Sequence, residues 1–301
     1  MSKILITGCF GFIGSRLYKK LIIEGHDVYG IGRKHGKNND LNLINSDINE
    51  TALNTVLEMS GGKLDLVIHT AGSSSVGFAE EKPALSFENT VVSSQLLFEW
   101  IRNYSPKSSV VVTSSAAVYG NIYSEKIQNG ANTKPFSVYG EHKLIVENLG
   151  KMYNRAYGTK IKFARIFSVY GPGLRKQFLW DFCSKLEKAQ GNSIELFGSG
   201  EEIRDWVYID DACEQIVNIS RSDYKEECYN VGSGIGVSVK SIAEIIMKET
   251  SIYFDLNFNL KSRKGDPFHL VSEGGLIATK VDVKEGIKRY VQWFKCQNKA
   301  T

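Results

Sequence analysis

Tyr139 and Lys143 stand four residues apart, and Ser115 ends the run Val110-Val111-Val112-Thr113-Ser114-Ser115 upstream of them. On a helix, residues four apart share one face. A free phenol titrates near pH 10, too high to exchange protons readily at neutral pH, and a neighbouring ammonium favours the phenolate. Lowering that pKa by about 2 to 3 units takes roughly 3 to 4 kcal/mol of differential stabilisation. With a serine hydroxyl to orient a substrate oxygen, the three residues Ser115, Tyr139 and Lys143 form a proton-transfer set for a carbon–oxygen bond. Tyr139 is the only one of the 14 tyrosines with a lysine four residues later.

A second group sits at the N-terminus. Gly8-Cys9-Phe10-Gly11-Phe12-Ile13-Gly14 follows the apolar Ile4-Leu5-Ile6 and opens a stretch, Phe12 to Glu24, with apolar residues at helical spacing. Glycines there permit the tight turn, close approach of backbone to a pyrophosphate, and helix–strand packing, while the helix N-terminus offers unpaired amides to the phosphates. Cys9 serves as a backbone provider. A carboxylate normally ends the second strand of an NAD-selective site and holds the ribose 2′-hydroxyl. Here Val28-Tyr29-Gly30-Ile31-Gly32 carries none, and Arg33 and Lys34 follow at once. A guanidinium suits a 2′-phosphate, so the expected cofactor is NADP(H), with NAD the alternative.

The elements that must position these groups alternate. Asp27 to Ile31, Leu66 to Ile68, Val110 to Val112 and Lys160 to Arg165 read as buried strands; Phe87 to Arg102 and Tyr139 to Tyr157 read as helices. Apolar strands separated by helices predict an α/β fold, a Rossmann-like doubly wound parallel sheet covered on both faces. It is expected over 1–167. After Tyr170-Gly171-Pro172-Gly173 the strands shorten and loops such as Phe197-Gly198-Ser199-Gly200 become glycine-rich. A smaller α/β substrate-binding domain is expected over 168–301, with part of 205–232 packing back on the first. No internal repeat or low-complexity linker separates the two parts.

Composition bounds the function. The 301 residues are 42% apolar with a formal net charge of +4, and the densest basic stretch, Arg33-Lys34-His35-Gly36-Lys37, has no interleaved aromatics. Nucleic acid is not an expected partner. No apolar run approaches the ~20 residues of a membrane span, and Met1 to Thr7 lacks signal-peptide architecture. Five scattered cysteines without a C-x-x-C argue against zinc or a disulfide framework, so no metal is expected and the cytoplasm is the expected setting.

In this order the motifs resemble the extended short-chain dehydrogenase/reductase family, the group of nucleotide-sugar epimerases, dehydratases and reductases. Asp47-Ile48 is similar to its adenine-contacting pair, His69-Thr70-Ala71-Gly72 to its H-x-A-A/G turn, and Asn89 to its helix asparagine. Val118-Tyr119-Gly120, Tyr170-Gly171-Pro172-Gly173, Arg204-Asp205, Asp210-Asp211 and Tyr229-Asn230-Val231-Gly232 follow in family order. The resemblance implies a cofactor site of Gly8, Phe10, Gly11, Phe12, Ile13, Gly14, Arg33, Asp47 and Ile48. It adds Thr70, Ala71, Gly72, Asn89, Tyr139, Lys143 and Ile166. It implies a nucleotide-diphosphate sugar as substrate, with Ser74, Ser115 and Ser168 near the sugar and Arg204 and Arg263 on the pyrophosphate. It also implies a homodimer built on Pro83–Tyr104 and Tyr139–Tyr157.

Three departures narrow the reaction. Ala116-Ala117 stand where the family's dehydratases carry Asp-Glu, and alanine transfers no proton, so 4,6-dehydration is not expected. Ser168 replaces an asparagine that contacts the nucleotide sugar. Leu276-Ile277-Ala278-Thr279 stands near the place of a G-W-x-P signature. The expected function is NADPH-dependent reduction of the C4 ketone of a nucleotide-linked 4-keto-6-deoxyhexose, in deoxysugar synthesis for surface polysaccharide. The alternative is a nucleotide-sugar 4-epimerase with retained NAD, and a third reading is a non-catalytic NADP-binding regulator.

Overall fold

The structure, a computed structural model, describes residues 1–34, 40–121, 123–221, 226–261 and 266–298. The chain begins with β1 (Lys3–Thr7), α1 (Phe12–Ile23) and β2 (Asp27–Gly32). Next come β3 (Leu43–Asn45) and α2 (Glu50–Met59), neither of which was among the expected elements. β4 (Leu66–His69) leads to α3 (Val76–Glu81), α4 (Pro83–Phe87) and α5 (Ser93–Tyr104). The single helix expected from Phe87 to Arg102 is divided by a π-helical turn over Glu88–Val92, which carries Asn89. Such a turn inserts one residue into the ladder and re-aims the side chains on it.

β5 (Ser109–Ser115) runs into a 3-10 turn, Ala116–Tyr119, followed by α6 (Val138–Tyr157) and β6 (Lys160–Ile166). Ser137 caps α6 by accepting from the Gly140 amide at 3.1 Å, and left-handed Gly158 ends it. The cap fixes the helix register, and so the face on which Tyr139 and Lys143 fall.

Thereafter come β7 (Ser168–Tyr170), α7 (Gln177–Lys188), β8 (Ser193–Leu196), β9 (Ile203–Tyr208) and α8 (Ile209–Arg221). The chain closes with β10 (Cys228–Val231), β11 (Gly236–Ser238), α9 (Val239–Thr250), β12 (Asp255–Phe258), β13 (His269–Leu270) and α10 (Val283–Asn298).

Seven strands form one parallel sheet in the order β10-β6-β5-β4-β1-β2-β3. Both faces are covered: Ile4, Ile6 and Val111 point into one apolar cluster, while Leu5, Val110 and Val112 point into another. This is why the strands read as unbroken apolar runs rather than alternating ones. Strand order reverses direction between β1 and β4, and the crevice outside the carboxyl ends there is where such sheets bind ligands. A smaller sheet pairs β9 with β7, β11 and β13, and β12 pairs with β8. The first cluster continues from the large sheet into Leu179, Phe182, Ile242, Ile246, Tyr290 and Phe294, so α7, α9 and α10 share one core with it.

Candidate active site

At the reversal point β1 ends in the glycine loop. Gly8 has φ 73°, and a side chain there would begin 2.7 Å from the Ala71 amide nitrogen, across the crevice. At Gly14 a Cβ would overlap the Gly8 carbonyl. Only hydrogen lets the loop lie this close to both α1 and the 70–72 turn. No side chain caps α1 at Gly11, so its first amides stay open toward the crevice. A backbone cradle with free helix amides fits a dinucleotide pyrophosphate.

Farther along the same edge, Arg33 pairs with Asp47 at 3.3 Å and donates to Asn89 Oδ1 at 3.3 Å. Lys34 lies over the Phe10 ring. A Cβ at Gly32 would stand 3.2 Å from the Phe10 ring, which occupies the space beside the strand end. Cys9 is buried behind this loop and its thiol is pushed up to about 12, so it is inert at neutral pH.

Tyr139 and Ser115 come together at the carboxyl end of the sheet, in the lining of one cleft. Burial raises the Tyr139 pKa and the serine hydrogen bond works against that rise. Lys143 is buried one turn along α6; its ammonium donates to the Thr113 carbonyl at 2.9 Å and lies 5.9 Å from the Tyr139 ring centre. Burial pushes Lys143 down to about 8, and Glu147 counters it. The Ser115 hydroxyl favours the phenolate, and a protonated Lys143 this close to the ring favours it as well. A positively charged ring in the crevice would add to it.

Two buried devices hold these groups. Glu147, a turn beyond Lys143, accepts from Arg165 Nε at 2.9 Å and Nη2 at 2.6 Å, and from Ser114 Oγ at 2.6 Å. Arg165 also donates to the Tyr119 hydroxyl, which donates to Asn230. This ties α6 to β5, β6 and β10. On the other side, His69 bridges Thr7 and Ser94 with its two ring nitrogens. Burial, then the Lys143 charge, pushes its pKa to about 3, so it stays a neutral spacer.

Another part of the cleft is built on β7 and β9. Arg204 donates to the carbonyls of Ile203 and Phe268. Beside it, fully buried Asp205 accepts from Ser233, Gly234 and Ser272, pinning the loops around β9. All the residues expected from the sequence for cofactor, substrate and catalysis line one cleft of about 1140 Å³, except Arg263, which lies outside the described residues. That volume exceeds a single drug-sized site and suits two ligands side by side.

Ser73, Lys176, Gln177, Phe178 and Trp206 also line the cleft and were not expected. Nothing in their local pattern marks them; Ser73 comes from the β4–α3 loop, Lys176, Gln177 and Phe178 from the start of α7 and Trp206 from β9, segments that only the tertiary fold brings together. Among the described residues no cluster of three or more His, Cys, Asp or Glu is placed to hold a metal, all five cysteines are free, and no helix is long and apolar enough to cross a membrane.

A Rossmann sheet with this Ser–Tyr–Lys set defines a dinucleotide-dependent short-chain dehydrogenase/reductase type of enzyme. Residues 4–232 match the NAD dependent epimerase/dehydratase family, and the chain belongs to that family. A Methanocaldococcus jannaschii protein named "Putative UDP-glucose 4-epimerase" is 30% identical, with 98% of this chain and 99% of the relative covered. The UDP-N-acetylglucosamine 4-epimerase from Methanobrevibacter ruminantium, solved with UDP-N-acetylmuramic acid, is 26% identical with a TM-score of 0.85, covering 98% and 99% of the two chains. A UDP-glucuronic acid 4-epimerase from Bacillus cereus, solved with a fluorinated UDP-glucuronic acid and NAD, is 25% identical with a TM-score of 0.84 over the same shares. These relatives support the 4-epimerase alternative and not specifically the 4-keto-6-deoxyhexose reductase expected first.

Proposed function

We propose that this protein is a nucleotide-sugar 4-epimerase that retains a nicotinamide dinucleotide through the catalytic cycle. The observation that carries this is the Ser115–Tyr139–Lys143 cluster at the carboxyl end of β5, with Ala116-Ala117 after the serine rather than a second acid and base. Such a site handles one proton and one hydride at one carbon, and the alanines at 116 and 117 offer no acid or base for eliminating water. The named activities of the relatives support the same reading.

Bound dinucleotide supplies the hydride acceptor and donor at C4; the glycine loop, the α1 amides, Asp47, Ile48 and the 70–72 turn would hold it. Tyr139 takes the C4 hydroxyl proton and later returns it, a transfer typically worth 10²- to 10⁴-fold in rate. Ser115 holds the same oxygen in reach of the phenol. Lys143, fixed by the Thr113 carbonyl, keeps positive charge beside the ring. Arg204 grips the substrate diphosphate, leaving the hexose to turn and present its other face. We further read the protein as a cytoplasmic homodimer. Exposed Leu85, Phe87, Ile145 and Met152, on α4 and α6, support the pairing.

A second reading has a specific observation behind it. Gly32 supplies no carboxylate to the ribose and Arg33 follows, which favours NADPH and the 4-ketoreductase. Against it, Arg33 is already paired to Asp47, whose charge opposes a 2′-phosphate. Absorbance at the reduced-nicotinamide band separates the two. Interconversion of a UDP-hexose and its C4 epimer with no net change supports the epimerase. Stoichiometric loss of NADPH with a nucleotide-linked 4-keto-6-deoxyhexose, and no epimerisation, would replace it.

A further inference from the structure

Lys176 precedes α7 and reaches across the cleft, where its ammonium contacts Ser74 Oγ at 2.6 Å and the Ser74 carbonyl at 3.3 Å. It is partly buried, and burial lowers its pKa. Among the described residues it has no ion-pair partner. A half-desolvated cation without a counter-charge is unfavourable unless an anion completes it. The neighbouring Ser73 is 8% exposed, and its Oγ, in the lining of the same cleft, has no hydrogen-bond partner. Buried hydroxyls are almost always bonded, so an orphan in a cleft wall points to a ligand atom. Gln177 adds a third sign: its φ of 65° puts a bulky residue in the left-handed region, a strain of roughly 1 kcal/mol tolerated where function holds it.

Position decides what the anion is. Gly72 immediately precedes Ser73, and a Cβ on Gly72 would lie 3.7 Å from the Lys143 ammonium. Ser73 and Ser74 thus border the end of the cleft where C4 reacts, whereas Arg204 stands on β9 in the other wall. We propose that Lys176, Ser73 and Ser74 form a subsite for a carboxylate carried by the hexose, so that the sugar epimerised is an acidic nucleotide hexose such as a uronic acid. An ammonium and two hydroxyls match the acceptor-only chemistry of that group. A neutral hydroxymethyl or a 6-deoxy methyl would leave the cation uncompensated. The inference rests on the nucleotide-sugar reading above.

The test compares UDP-glucuronic acid with UDP-glucose in wild type, Lys176→Gln, Lys176→Arg and Ser73→Ala, by epimerisation rate and by calorimetric affinity. Wild type should prefer the acidic sugar by at least about tenfold. Lys176→Gln should lower the acidic-to-neutral ratio of kcat/KM and of affinity by about 30-fold, the worth of a charge-assisted hydrogen bond. Ser73→Ala should lower it about threefold, and Lys176→Arg should keep most of it. Equal losses on both sugars would assign Lys176 to the diphosphate and overturn the proposal, as would an unchanged ratio. If neither sugar is epimerised, the 4-epimerase reading fails, and the affinity ratio still decides the subsite.

Discussion

Replacing Glu147 by Gln removes one charge from the interior of the protein and leaves its partner behind. Glu147 is fully buried, and the Arg165 side chain is 3% exposed. The carboxylate receives two parallel hydrogen bonds from the guanidinium and one from Ser114. Burial disfavours the Arg165 charge, and Glu147 is the largest of the groups that outweigh that effect; with glutamine in place, that main counterweight is lost. Breaking a buried pair from one side costs about 3 to 5 kcal/mol. For a chain of this size that is a fall in melting temperature on the order of 10 °C. The double replacement Glu147→Met with Arg165→Met removes both charges and should be less damaging than either single change.

The same substitution reads out at the catalytic end. Burial depresses Lys143 to about 8 and Glu147 counters it, so Gln at 147 should depress it further. Lys143 is charged below that pKa and neutral above it. The alkaline fall in turnover should therefore move to lower pH, measurable as a pH profile of kcat/KM alongside calorimetric unfolding. Unfolding within about 1 kcal/mol of wild type, together with an unmoved alkaline limb, would refute the view that this pair locks α6 and tunes Lys143.

Further outcomes follow from the same geometry. Tyr139→Phe should lower kcat by about 10² to 10⁴-fold while dinucleotide affinity, measured by fluorescence titration, stays near wild type. Gly14→Ala should abolish dinucleotide binding in the same titration, because the added methyl overlaps the Gly8 carbonyl. Asp47→Asn should free Arg33 and shift the affinity ratio toward NADPH over NADH by about threefold, the scale of an exposed ion pair. In wild type, turnover should fall as pH rises through about 8, where Lys143 loses its proton, and show no limb from buried His69 down to pH 5.

Much of the fold was legible because its signals are local. A strand buried on both faces must be apolar throughout, and a loop touching two backbones must be glycine, so β1, β4, β5 and the Gly8–Gly14 loop could be read directly. The spacing of Tyr139 and Lys143 guaranteed a shared helical face once Ser137 and Gly158 bounded the helix. β3, three residues long, is too short to show a period, whereas α2 carries Ala52, Leu53, Val56 and Leu57 at helical spacing and was passed over. The π-turn at Glu88–Val92 is a one-residue change in the hydrogen-bond ladder that no periodicity reveals.

Tertiary structure alone decided what depends on distant segments meeting. Glu147 and Arg165 are ordinary charges in sequence; only the packing of α6 over β5 and β6 buries both and makes them a pair. Arg33 seemed free to meet a phosphate until the chain brought Asp47 and Asn89 to its guanidinium. Lys176 faces Ser74 from 102 positions away. Local chemistry specifies backbone shape and which residues can transfer a proton, whereas burial, counter-charge and the lining of the cleft arise from long-range contacts between segments.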